Sequence, residues 1–222
     1  MFRSFSILLA FICLVPFSKK KTRVIFLGDS LTELASRPGG FVRQLDSIAL
    51  LQNEKDYQFI GSGVSGNKIY DLFLRLEDDV LKKRPHVVVI LIGINDVWHK
   101  KLLHTGTDPD KFEKFYQAII DRLRNKSIRT ILCTPTLIGE KTDGTNELDG
   151  ELDRYAGIVR KLSVKNSLQL VDLRKVFLGY NRNHNPDNRE SGILTYDKVH
   201  LSNAGNRLIA ESLWPVVRDS RK

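Results

Sequence analysis

Ser30 in Gly28-Asp29-Ser30-Leu31, and Asp197 and His200 in Asp197-Lys198-Val199-His200, are the residues whose types and spacing could do chemistry together. A serine hydroxyl is a weak nucleophile until a positioned imidazole takes its proton. That imidazole needs an acid on its other nitrogen, which fixes the tautomer and stabilises the imidazolium. Asp197 and His200 stand three apart near a helix start, so one loop can carry both. Charge developing on a carbonyl oxygen needs neutral donors already aimed at it, typically backbone N–H groups and an Asn or Gln amide. Gly66, in Gly63-Val64-Ser65-Gly66-Asn67, allows close backbone approach, and Asn95, in Gly93-Ile94-Asn95-Asp96, offers an NH₂. Singly these signals are weak, since a serine after a glycine turn is most often a helix N-cap. Together they describe acyl transfer through a serine.

Such residues must be brought to one place, and the apolar patterning says how. Strands are expected at 22–27, 57–60, 87–92, 130–133 and 169–171, and helices at 41–50, 69–82, 109–124, 152–166 and 203–217. Val87 to Ile92 is apolar throughout, as expected of a central strand covered on both faces. Asp108-Pro109 reads as an N-cap followed by a first-turn proline, and Ser202 as the N-cap of the last helix. Strand and helix alternating in this way predict an α/β fold, a three-layer α/β/α sandwich around a five-stranded parallel sheet. Ser30, Gly66 and Asn95 all follow strands, so they meet at the carboxyl edge where open α/β sheets place their sites. The loops 134–150 and 180–198 overhang the same edge and are expected to shape a substrate site.

Other residues compete for roles. Asp29 is expected to hydrogen-bond its own turn, and Asp96 to brace the segment carrying Asn95. Ser65 is a rival nucleophile, but Asn67 replaces the last glycine of a Gly-x-Ser-x-Gly elbow. Trp98 and His99 either line the pocket or form an ordinary amphipathic edge, while His86, His104 and His184 read as surface residues. Cys133 sits in an apolar strand and Cys13 near the N-terminus, which leaves no disulfide framework and no cysteine metal site. No His-x-His, His-x-x-x-His or acidic ligand cluster argues for zinc.

Composition bounds the rest. At 222 residues the chain is sized for one α/β domain. The net charge of +9 includes Arg3, Lys19, Lys20 and Lys21, which lie in a leader without acids; the remaining +5 has no obvious stripe, so nucleic acid is not an expected partner. Phe5 to Phe17 is almost uninterruptedly apolar behind Arg3, the layout of a secretory signal. It falls short of the ~20 apolar residues a membrane span needs. Residues 1–21 are therefore expected to be a signal peptide or N-terminal anchor, giving an exported, periplasmic or extracellular protein whose membrane contact comes only through such an anchor. Residues 22–222 form the expected hydrolase domain.

From Thr22 to the C-terminal helix the motifs, their order and their spacing resemble the SGNH hydrolases, the GDSL-type lipase/esterase family. The resemblance implies a flavodoxin-like fold and a catalytic triad of Ser30, His200 and Asp197. It also implies an oxyanion hole made by the Ser30 and Gly66 N–H groups and the Asn95 amide, and needs no metal or organic cofactor. The family's last block usually reads Asp-Gly-x-His, whereas Lys198 stands here in place of the glycine. The polar segments 139–144 and 181–190 suggest a compact, water-exposed acyl site and thus a serine esterase for short acyl groups. Acetyl esters of small molecules or polysaccharides, as cleaved by the family's carbohydrate acetylesterases, are the leading substrates. A lysophospholipase or acyl-thioesterase would use the same residues. A catalytically silent carbohydrate- or surface-binding module would have no need of all five.

Overall fold

The computed structural model describes residues 21–219. The expected leader, apart from Lys21, lies outside them. The strands β1 (Thr22–Gly28), β2 (Tyr57–Gly63), β3 (Val87–Leu91), β4 (Arg129–Cys133) and β5 (Gln169–Val171) pair in parallel in the order β2-β1-β3-β4-β5. The helices are α1 (Ser30–Leu34), α2 (Phe41–Leu51), α3 (Ile69–Asp79), α4 (Ile94–Leu102), α5 (Pro109–Arg124), α6 (Asp149–Asn166), α7 (Leu173–His184) and α8 (Asn203–Arg218).

Handedness turns this order into layers. The chain moves one way from β1 to β2, then back past β1 to β3 and on to β4 and β5. With right-handed crossovers, α2 falls on one face of the sheet and α3, α5 and α6 on the other. The packing agrees: α2 meets α8, whereas α3 meets α5 and α5 meets α6. Buried on both faces, β1 and β3 carry Val24, Ile25, Phe26, Leu27 and Val87 to Leu91, all essentially inaccessible. Each such side chain contributes about 1.5–3 kcal/mol by leaving water. This is the flavodoxin-like strand order, and its direction reverses between β1 and β3.

Three differences from the sequence reading have local causes. The helix expected over 69–82 stops at Asp79 and continues as a 3₁₀ turn, Leu81–Lys83. Arg84 then takes a left-handed conformation, φ +48°, ahead of Pro85, which disfavours helix in the residue before it. Asp108 does stand at the N-cap of α5, but its carboxylate bonds Lys100 Nζ at 2.8 Å instead of capping. The stretch read as a loop from residue 180 begins inside α7. The buried Arg174 on α7 donates to Asp153 and Asp149, each at 2.7 Å, and to the Thr136 carbonyl at 3.2 Å. That helix therefore clamps α6 and the segment leaving β4.

Candidate active site

Ser30 owes its position to the sharp exit from β1. Gly28 closes the strand where a Cβ would lie 2.4 Å from the Leu91 carbonyl, so β1 and β3 approach there only because the side chain is absent. Asp29 then caps α1, accepting the Leu31 N–H at 3.0 Å, and Ser30 is the first helical residue. The Ser30 N–H is thus among the first-turn donors with no partner inside the helix.

Asp197 and His200 sit on a tight hairpin between α7 and α8. An antiparallel bridge pairs Thr195 with Leu201, and the Tyr196 N–H donates to the His200 carbonyl at 2.9 Å. Inside the turn, Asp197 Oδ1 accepts the Val199 and His200 N–H groups at 3.1 and 2.7 Å. Its Oδ2 lies 2.7 Å from His200 Nδ1, and His200 Nε2 lies 3.1 Å from Ser30 Oγ. Burial pushes the Asp197 carboxyl up, but the bonds from His200 and Val199 outweigh it and hold the group below its ordinary range. A carboxylate facing Nδ1 makes that nitrogen the donor, so the Nε2 lone pair faces the serine hydroxyl. Lys198 occupies the turn at φ +82°, a conformation costing about 1–2 kcal/mol in an L-residue. Its carbonyl accepts the Gly139 N–H at 2.8 Å and its ammonium pairs with Glu190 at 2.9 Å, which helps hold the strained turn closed.

The expected donors come from the other side of the switch point. Gly66, at φ +78°, turns the chain between β2 and α3 in a conformation that favours glycine. Asn95 is in the first turn of α4, directly after β3, and gives one amide proton to the Asn67 carbonyl at 3.1 Å, leaving the other to point elsewhere. Arg75 ties this side together. Its guanidinium donates to Asn67 Oδ1 and to the carbonyl of Gly28, each at 2.7 Å. Arg75 carries no motif signal and was not anticipated; on α3 it reads as an ordinary surface charge.

The competing residues are accounted for. Ser65 is exposed, and both its hydroxyl and its N–H donate to Glu33 Oε2 at 2.6 Å, so its hydroxyl is paired with a carboxylate. His99 approaches the Gly66 turn, its Cε1 3.8 Å from where a Gly66 Cβ would stand, and burial lowers its pKa. Cys133 is buried with its thiol pKa pushed up by desolvation. Asp96 braces the segment carrying Asn95, tying the start of α4 to the start of α3 by accepting the Ile69 N–H at 3.1 Å, while its Oδ2 is buried without a hydrogen-bonded partner.

Asp29 and Asp96 make stability depend on pH. Burial raises Asp29 from the ordinary 3.8 to about 7 and Asp96 to about 6. Both hold a proton in the folded chain at pH values where the unfolded chain has lost it. The folded state is therefore favoured most below the unfolded value, loses stability as pH climbs through that window, and carries the full cost above about 7. At ~1.4 kcal/mol per unit, Asp29 alone contributes on the order of a few kcal/mol. Asp29→Asn keeps an oxygen for the Leu31 N–H and has no charge to bury. Thermal melts should show its Tm, relative to the parent, rising between pH 5 and pH 8; a constant difference would remove Asp29 as the titrating group.

The profile of the GDSL-like Lipase/Acylhydrolase family matches residues 26–208, which spans every element of this site. The chain belongs to that family. It is a serine ester hydrolase with the family's α/β fold. The crystal structure of the acetyl xylan esterase AlAXEase is 52% identical, with a TM-score of 0.86 over 88% of this chain and 99% of that one. An acetylxylan esterase from Geobacillus stearothermophilus is 28% identical over 86% of this chain and 91% of its own length. An α/β hydrolase enzyme from the metagenome of Lake Arreo, Spain, is 25% identical, with a TM-score of 0.79 over 90% of this chain and 96% of that one.

The two polar segments expected to be water-exposed, 139–144 and 181–190, are so for the most part, with a few buried members. Thr142 to Thr145 are exposed, but Gly139 and Glu140 are buried. Asn181 to His184 belong to α7, and Asn181 and Asn185 are buried. Asn185 Nδ2 donates to the Glu140 carbonyl at 2.8 Å. Apart from these buried residues, 139–144 and 181–190 are exposed or half-buried, so most of their polarity faces solvent and Glu140, Asn181 and Asn185 are the internal exceptions.

Proposed function

We propose that this protein removes acetyl groups from carbohydrate esters, with Ser30 as nucleophile, His200 as general base and acid, and Asp197 as its orienting partner. His200 Nε2 takes the hydroxyl proton as Ser30 Oγ bonds to the ester carbonyl carbon. The resulting oxyanion is met by the Ser30 and Gly66 N–H groups and the Asn95 amide. Collapse breaks the bond to the sugar oxygen, which leaves with the proton from His200. Water then gives a proton to His200 and attacks the acetyl-serine; acetate departs and the proton returns to Ser30.

The observation that carries the substrate reading is the 52% identity to an acetyl xylan esterase across 88% of this chain. The surroundings of the site suit a sugar better than a long acyl chain. Tyr196 is 60% exposed, with its ring lying nearly parallel to the His200 imidazole, 5.8 Å between centroids, and offers a flat apolar face beside the base. A hollow of about 260 Å³ adjoins the hairpin, lined by the charged or polar Lys141, Asn146, Glu190 and Lys198 together with the apolar Ile138 and Leu148, a mixed lining that a sugar ring can meet with both its hydroxyls and its apolar face. The apolar leader of residues 5–17 supports export to where such polymers are met; among the described residues no helix is long and apolar enough to cross a membrane.

Acetate release from acetylated xylan and xylo-oligosaccharides, with a lysophospholipid and an acyl-CoA as counter-substrates, tests the reading. The acetylated sugars should give the highest kcat/KM, and nitrophenyl esters should fall off as the acyl chain lengthens. A maximum on long acyl chains would overturn the acetyl assignment in favour of a lysophospholipase or thioesterase.

A further inference from the structure

We propose that Glu140 is a positioning residue for the reaction, holding the Asp197–His200 hairpin in register through a buried carboxylate–backbone clasp. The inference rests on the triad reading above and adds to it a residue with no place in the motifs.

Glu140 lies in the segment between β4 and α6 and is 1% exposed. Its Oε2 accepts the Ile193 N–H at 2.9 Å. Its Oε1 accepts the Leu194 N–H at 2.8 Å, the Thr195 hydroxyl at 2.7 Å and the Thr195 N–H. Three successive backbone N–H groups and a hydroxyl thus converge on one carboxylate. Among the described residues Glu140 forms no ion pair, so these donors, not a cation, compensate the buried charge. Hydrogen bonds to an ionised acceptor are about twice as strong as neutral ones, and an acceptor-only group is the right partner for a donor-only arc.

The position of the clasp gives it a consequence for catalysis. Thr195 is the residue at which the hairpin closes by pairing with Leu201, and the next two residues are Tyr196 and Asp197. On the far side, Ser202 Oγ donates to the Ile193 carbonyl at 2.7 Å and the Ser202 N–H to the Leu194 carbonyl at 2.8 Å. Residues 193–195 are therefore held by Glu140 through their N–H groups, and Ile193 and Leu194 also by Ser202 at the start of α8 through their carbonyls. The hairpin carrying both Asp197 and His200 hangs from this doubly held strand. Glu140 is itself fixed: its N–H donates to the Glu190 carbonyl at 3.1 Å, and its carbonyl accepts Asn185 Nδ2 at 2.8 Å. A shift of the strand would move His200 Nε2 relative to Ser30 Oγ, now 3.1 Å apart, because the serine is anchored separately on β1 and α1. A misplacement of about 1 Å can cost on the order of a hundredfold in rate.

Glu140→Gln keeps the size and turns one oxygen into an NH₂ that opposes an N–H. It should lower kcat on an acetyl ester about ten- to hundredfold while KM stays within about twofold. In ¹H NMR, the downfield signal of the His200 Nδ1 proton shared with Asp197 should weaken or broaden in this variant. Thr195→Val removes only the hydroxyl contact and should lower kcat about three- to tenfold, with the same split. A purely structural Glu140 would lower Tm and leave kcat and the downfield signal of the folded enzyme intact; that result overturns the proposal. If Glu140→Gln does not fold, Thr195→Val decides, and wild-type kcat there overturns it too. Ser30→Ala is run alongside. Inactive Ser30→Ala with fully active Glu140→Gln sinks the positioning role alone, whereas active Ser30→Ala sinks the triad reading beneath it.

Discussion

Ser30→Ala is expected to lower kcat/KM on an acetyl ester by about 10⁴-fold or more, with the melting temperature nearly unchanged. The hydroxyl is the only protein group that bonds to the carbonyl carbon in the proposed mechanism, and its loss removes the acyl-enzyme altogether. The fold should tolerate the change, because α1 is capped by Asp29 and not by Ser30. Residual turnover should remain above the uncatalysed rate, since an oxyanion hole alone retains about 10³–10⁴-fold over water. His200→Ala should fall to a similar level, and the double variant should be little worse than either alone. Groups acting as one unit are not additive. Purified variants assayed for acetate release, with Tm measured in parallel, check this.

Asn95→Ala is expected to lower kcat by about 10²–10³-fold, or roughly 3–4 kcal/mol of transition-state stabilisation. KM should move far less. The amide proton left over after the bond to Asn67 is worth most when full negative charge develops on the carbonyl oxygen, and little against a neutral ester. The substitution also removes the donor from the Asn67 carbonyl, so a modest fall in Tm is expected as well. A folded Asn95→Ala protein with near-normal kcat would remove Asn95 from the oxyanion hole.

The sheet was legible because its strands are short apolar runs between turn signals, and each expected strand lies within a residue or so of its place except β2, which runs on to Gly63. The long amphipathic helices followed from their period. Helices α1 and α4 escaped because they start on the functional motifs themselves, where Ser30-Leu31-Thr32-Glu33 and Asn95-Asp96 read as polar turns. Helix α7 had a usable signal in Leu173, Val176, Phe177 and Tyr180, spaced three and four apart, but its Asn- and Arg-rich second half masked it.

The candidate site shows the same division. Residues that contact substrate in the proposed mechanism are few and carry recognisable spacing. Those that hold them, Arg75 and Glu140, act across the fold through backbone carbonyls and N–H groups, and no spacing announces such a partner. Lys198 marks a third kind of case. The glycine usual in the family's last block is explained by a left-handed turn, φ +82° here, and this chain places a lysine in it, where its ammonium meets Glu190.

The central claim is that Ser30, activated by His200, is the nucleophile. Labelling with a fluorophosphonate followed by peptide mass mapping tests it most directly, because the reagent reacts far faster with a serine activated by a general base than with an ordinary one. The account predicts a single label on the peptide containing Ser30, absent in Ser30→Ala and strongly slowed in His200→Ala. A label on Ser65, or labelling that survives Ser30→Ala, would contradict it.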